Sequence, residues 1–138
     1  MRSCEVTRIG TDRGSATLAA VGVLALALVL AAGVTAIGQM SIARNRVTAA
    51  AEAGALAAAP VTFRPFGATG SATDEAARLV RANGARLLRC DCRPDRAYNP
   101  RTVAVTATVT VDVLGLWEMS MEATAAAEFR PVALLVGP

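Results

Sequence analysis

With 138 residues, 54% of them hydrophobic and 18% charged, the chain has room for one domain and too much apolar content for intrinsic disorder. Alanine fills 31 positions while aromatics make up 4%, which argues against a large enzyme core, and the absence of His removes the commonest general base and metal ligand. The formal net charge of +3 is scattered and too weak to suggest a nucleic-acid partner; all 14 basic residues are Arg, as suits a GC-rich genome.

The chain opens with a short basic leader, residues 1–14, carrying Arg2, Arg8 and Arg13. From Gly14 to Ala43 there is no charge at all. Within that run, Leu18 to Ile37 is almost wholly apolar and would make about 30 Å of helix, the hydrocarbon thickness of a bilayer. Its Leu, Val and Ile residues together favour insertion by about 3 to 6 kcal/mol. A single-pass transmembrane helix over 15–43 is therefore expected. A secretory signal has a shorter apolar region, about 7–15 residues, and a small-residue cleavage site after it. Here the run passes into Gln39-Met40-Ser41-Ile42 with no loop-forming break. A buried helix of a soluble protein is disfavoured too, because the rest of the chain is too short to wrap it. Arg44 and Arg46 follow the span, so the balance of basic residues leans toward a cytoplasmic N-terminus and an extracytoplasmic C-terminal domain.

Nothing interrupts the helix after the span, and an extension over 44–59 is expected. Ala43, Val47, Ala50, Gly54 and Ala57 recur at spacings of three and four, a stripe of small side chains that allows close backbone approach. Packing within the chain and packing with neighbouring subunits are both open. Pro60 should end the helix and begin a loop over 60–71, with Phe63 and Phe66 tucked against the body. Ser71-Ala72-Thr73-Asp74 resembles a capping box opening a helix over 73–83. That helix should present Ala76, Ala77, Leu79, Val80 and Ala82 on one face and stop at Asn83-Gly84.

The period then changes from 3.6 to 2. Odd positions from Val103 to Val113 are apolar and even positions from Thr102 to Asp112 mostly polar, the mark of a strand with one buried face. After Leu114-Gly115-Leu116, a second alternation puts Trp117, Met119, Met121, Ala123, Ala125, Ala127 and Phe129 on one side. The strands near 102–113 and 117–130 should pair as a hairpin, with a shorter strand near 86–93 in which Leu88, Cys90 and Cys92 share a face. The expected fold is α+β: a long N-terminal helix, a short helix, and a small antiparallel sheet of about three strands packed on helix within an extracytoplasmic domain over 72–138.

Little here suggests catalysis. Without His there is no triad, no Cys–His dyad and no imidazole-bound metal; no metal site and no cofactor are expected. Glu118, Glu122 and Glu128 fall on the solvent face of the second strand, where they keep the sheet soluble. No glycine-rich loop follows a strand, so phosphate binding lacks support. Cys90-Asp91-Cys92 has the wrong spacing for zinc. Buried free thiols are the first reading of Cys90 and Cys92, ahead of an intrachain disulfide and then an intermolecular one, because alternate positions on one strand face bridge poorly. Cys4 would lie across the membrane from them.

Asp12-Arg13-Gly14-Ser15 stands directly before the apolar run, so cleavage there would leave the helix on the mature chain. With Asp12 to Thr17, Arg46 to Ala57 and Ala82 to Cys90, in the order helix, loop, helix, strands, the chain resembles the TadE/TadG-like proteins of Flp-type (tight adherence) pilus assembly. It looks closest to the small TadE-like proteins of actinobacteria. The resemblance implies a non-catalytic minor pilin or pseudopilin of a pilus or related secretion apparatus, anchored in the cell membrane, with pilin-like or secretion-apparatus subunits as partners. It also implies a prepilin peptidase cutting after Gly14 to leave Ser15 first. The fifth residue would then be Ala19, where pilin-like substrates commonly carry Glu. The alternatives are a single-span, membrane-anchored extracytoplasmic binding module, working through its sheet edge or Phe-bearing loop, and a regulatory subunit of an envelope complex.

Overall fold

A long run rich in Ala and Leu, with no Pro before Pro60, favours uninterrupted helix, since these residues lose little in helical geometry. The computed structural model, which describes residues 13–64 and 70–134, accordingly carries a single helix α1 over Arg13–Val61. Its order continues with α2 (Ala72–Ala82), β1 (Arg86–Asp91), β2 (Arg101–Val113), β3 (Trp117–Phe129) and a short 3-10 turn over Pro131–Leu134. The chain divides into two compact units at Thr35 and Ala36. The first holds the apolar part of α1, whose large side chains from Leu18 to Val34 are exposed. The second contains the rest of α1, α2 and the sheet.

Pro60 does not end α1; it sits in the last turn, and the helix runs on to Val61. The end is made instead by buried Thr62, whose hydroxyl donates to the Ala59 carbonyl at 2.6 Å while its N–H reaches the Ala58 carbonyl at 3.2 Å. Two of the last turn's carbonyls, those of Ala58 and Ala59, are thereby satisfied. Of the two loop phenylalanines, Phe63 packs at ring-centroid distances of 5.2 Å from Tyr98 and 6.2 Å from Phe129. Phe66 lies outside the described residues.

At the start of α2, the Ser71 hydroxyl accepts the Asp74 N–H at 3.2 Å, the cap expected from the sequence. At its end Gly84 takes φ +73, which a Cβ would penalise. The buried face is Ala72, Ala76 and Val80, spaced by four; Ala82, expected among them, is exposed because the helix ends there and turns away.

The sheet has order β1-β2-β3 and is antiparallel throughout. The hairpin runs in unbroken register from Arg101 opposite Phe129 to Val113 opposite Trp117. On its exposed face the Thr106 and Thr124 hydroxyls meet at 2.8 Å. In β2 the expected alternation appears as burial of Val103, Val105, Ala107, Val109 and Val113. β1 departs from expectation. A bulge between Leu87 and Arg89 inserts Leu88 without a partner, so Leu87 turns toward the core and Leu88 faces solvent. One inserted residue exchanges the two faces of a strand, which is why Leu88 and Cys90 do not share one as simple alternation required.

Cys90 and Cys92 are joined as a disulfide, with their Cα atoms 5.3 Å apart, rather than standing as free thiols. β1 ends at Asp91, so Cys92 is released from strand geometry and the Cα separation falls in the usual range for a bridge.

The core of the second unit is built from small residues. Ala43, Val47, Ala50, Ala51, Ala55, Ala58 and Ala59 of α1 cluster with Ala76 and Val80 of α2 and with Val103, Val105 and Ala107 of β2. Alanine on the helix lets its backbone approach the valine-covered sheet closely, so dense packing is reached without aromatic bulk.

Candidate functional site

Chemistry-bearing side chains stand apart on this framework. Glu118, Glu122 and Glu128 are all exposed on β3. Glu128 accepts a 2.6 Å bond from Arg130 Nε, and that bond holds its carboxyl below the usual range. Glu75 is lowered in the same way by Arg78, which contacts it at 3.0 and 2.5 Å. The Asp95 carboxyl is lowered chiefly by the Ala97 N–H at 3.0 Å, with Arg101 adding to the effect. Such groups stay ionised at neutral pH and are poorly suited to donate a proton. Among the described residues no group of three or more His, Cys, Asp or Glu could hold a metal ion.

What the fold does assemble is apolar and structural. The stripe singled out in the sequence lies mostly inside the second unit: Ala43, Val47, Ala50 and Gly54 are buried, and Ala57 is half-buried. Gly54 shows how tight the contact is. A Cβ there would stand 2.8 Å from Val80 Cγ2 and 3.1 Å from Val105 Cγ1. α1 therefore meets α2 and β2 at one point, and the stripe is occupied by this chain's own core. Spacing alone could not separate that from subunit packing, because both require the same small residues. Gly14 and Ser15 lie in the first turn of α1, where N–H groups have no intrahelical partner and the helix is easiest to open.

Sequence reasoning missed Arg101, since an Arg at a strand start carries no pattern. Its guanidinium donates to the Asp95 carbonyl at 2.9 Å, to the Thr62 carbonyl at 3.3 Å and to the Ala97 carbonyl, and it lies 5.5 Å from the Phe63 ring centroid. The Asp95 N–H reaches the Thr62 carbonyl at 2.9 Å and the Arg64 N–H the Asp95 carbonyl at 3.1 Å. One side chain thus ties the end of α1, the loop before β2 and β2 itself together. Arg101→Ala should lower stability by about 2 kcal/mol, the scale of charge-assisted hydrogen bonds lost together. Denaturant unfolding of the full chain in detergent, with proteolysis to follow the 94–100 loop, measures this; an unshifted midpoint with an intact loop would remove Arg101 from that role.

The apolar half of α1 is the other feature with functional content. α1 is long and apolar enough to cross a membrane, and its most apolar stretch is not buried within the protein. Residues 14–60 match the family model described as "Putative Flp pilus-assembly TadE/G-like". This segment is TadE/G-like. The match, about a third of the chain, takes in the first stretch that carried the resemblance from Gly14 on and the whole of the second, and leaves α2 and the sheet outside it. No curated protein and no solved structure matches the chain. The TadE/G-like segment comprises the exposed apolar helix together with the buried small-residue face, so the resemblance falls on both the candidate membrane helix and the surface that holds the sheet.

Proposed function

We propose that the protein is a non-catalytic, membrane-anchored minor pilin or pseudopilin of a Flp-type pilus or related secretion apparatus. The observation that carries this reading is the TadE/G-like match over a helix whose apolar half is exposed. An exposed apolar helix of this length is costly in water and stable in lipid, and in lipid it can pack against similar helices of neighbouring subunits. Its N-terminus lies in the cytoplasm, supported by Arg2, Arg8 and Arg13 before the span against Arg44 and Arg46 after it. The sheet-bearing unit lies outside, a placement supported by the Cys90–Cys92 disulfide, since such bonds persist in oxidising compartments. Its partners are other pilin-like or secretion-apparatus subunits, and a prepilin peptidase cuts the chain between Gly14 and Ser15.

Processing gives the direct test. Co-expression with the cognate prepilin peptidase should yield a membrane-bound chain whose first residue is Ser15, read by intact-mass spectrometry. A chain that stays full length beside an active peptidase would count against peptidase processing. Photocrosslinkers placed along the exposed side of the span should capture pilin-like subunits in the native host, and failure to do so would count against assembly.

A further inference from the structure

We infer that the tip of the β2–β3 hairpin is a second membrane contact, a loop that rests in the headgroup–acyl boundary beside the point where α1 enters the bilayer. The inference rests on the reading of α1 as a membrane span.

The second sheet alternation was expected to bury one whole face, yet only its far half is covered. Met121, Ala123, Ala125, Ala127 and Phe129 pack against the core, whereas Trp117 is 55% exposed and Met119 39% exposed. Beside them Leu116 is 71% exposed and Leu114 37%. Residues 113–117 carry no charge, so the tip presents leucine and tryptophan to whatever surrounds it. The backbone adds a second indication. Leu114 takes φ +56 and Gly115 φ +69, and the Leu116 N–H closes the turn on the Val113 carbonyl at 3.0 Å. Asn, Asp or Gly would hold the first of these positions at lower cost, so a leucine there keeps an apolar side chain against its backbone preference.

The position of the tip names its occupant. The Leu114 N–H donates to Gln39 Oε1 at 3.3 Å, a contact made wholly within the second unit. Gln39 lies in the charge-free run, five residues and about 7.5 Å of helix before Arg44. Nearby, Ile42 and Ala43 lie alongside Val109 and Val111, and Ile37 and Met40 alongside Met121. The tip therefore sits level with a helix segment that is still apolar, with Ile37 and Ile42 exposed on it. A bilayer that covers those isoleucines also reaches the hairpin. Tryptophan, apolar in body and polar at its N–H, is the residue that most favours this depth. The charged groups around the tip set the limit of its insertion. Asp112 and Glu118 face each other one pair above Val113 and Trp117, and Arg44 and Arg46 stand above Gln39 on α1. These remain in the headgroup layer, so only the turn enters, and apolar burial rather than attraction to anionic lipid drives it.

Trp117 is the only tryptophan, so its fluorescence reports the tip alone. The full chain is reconstituted at low protein-to-lipid ratio in phosphatidylcholine vesicles, with and without acyl-chain bromination. The expected result is blue-shifted emission, quenched by more than half in brominated lipid and little affected by aqueous iodide. Leu116→Asp should move Trp117 toward iodide quenching while the chain stays resistant to carbonate extraction. A carbonate-resistant chain whose Trp117 answers to iodide and not to bromine overturns the hairpin contact and leaves the span intact. Shielding from both quenchers overturns it in favour of a second copy covering the tip. A chain extracted by carbonate overturns the span and, with it, this inference.

Discussion

Replacing Gly54 with leucine is expected to cost the sheet-bearing unit about 3 kcal/mol or more, a large share of the total stability of a domain this size. Taken alone, helix propensity predicts the opposite, since removing a glycine from a helix interior gains about 1 kcal/mol. Contact geometry decides against it. Even a single Cβ would lie 2.8 Å from Val80 Cγ2, 3.1 Å from Val105 Cγ1 and 3.4 Å from the Ala76 carbonyl oxygen. Both valines are fully buried and β-branched, with little rotamer freedom to move aside. Gly54→Ala should therefore lose about 1 kcal/mol, overpacking outweighing propensity, and leucine should push α1 off the sheet. Denaturant unfolding followed by the β-sheet circular dichroism signal measures the loss. Adding Val80→Ala to Gly54→Ala should restore part of it, a coupling that independent sites would not show. If Gly54→Leu leaves the midpoint where it was, the small-residue face does not carry the core.

The second large effect concerns the apolar half of α1, the proposed membrane span. Leu26→Arg places a charge near the middle of the apolar run, at a cost of about 2.5 to 3.5 kcal/mol, and removes a leucine worth about 0.5 kcal/mol. Against a favourable total of about 3 to 6 kcal/mol, one such change brings insertion close to balance. Two, Val23→Arg with Leu30→Arg, should abolish it. Carbonate extraction and vesicle flotation read the outcome, with Leu88→Arg on the exposed β1 bulge as a control that leaves anchoring unchanged. The core belongs to the other unit and should still fold, but without insertion that unit is not carried across the membrane and Cys90 and Cys92 stay reduced. A double variant that still resists extraction would mean that something other than this helix holds the protein to the membrane.

Gly54 also shows where sequence reading reaches its limit. The stripe from Ala43 to Ala57 is legible as a pattern, but a stripe of small residues has no address. Only the position of Val80 and Val105 against it shows that this chain's own helix and sheet fill the groove. Likewise, Trp117 and Met121 are equivalent in a period-2 pattern. They part because the buried face of α1 begins only at Ala43, leaving Met121 packed against the core and Trp117 exposed.

Local physics determined the rest from the sequence by itself. A charge-free run of bilayer length, the Ser71 cap, the Gly84 stop and the alternation from Val103 to Val113 each depend on neighbours a few residues away, so each could be read without knowing the fold. Tertiary structure alone decided the Leu88 bulge, the closure of Cys90 on Cys92, the Arg101 tie between α1 and the loop before β2, and the meeting of Gln39 with Leu114. The register slip arises from matching two strands across a sheet, the bridge from the turn the chain takes once β1 ends, and the two polar contacts from residues far apart in sequence. Composition and spacing encode preferences of short segments; they do not encode which distant segment arrives.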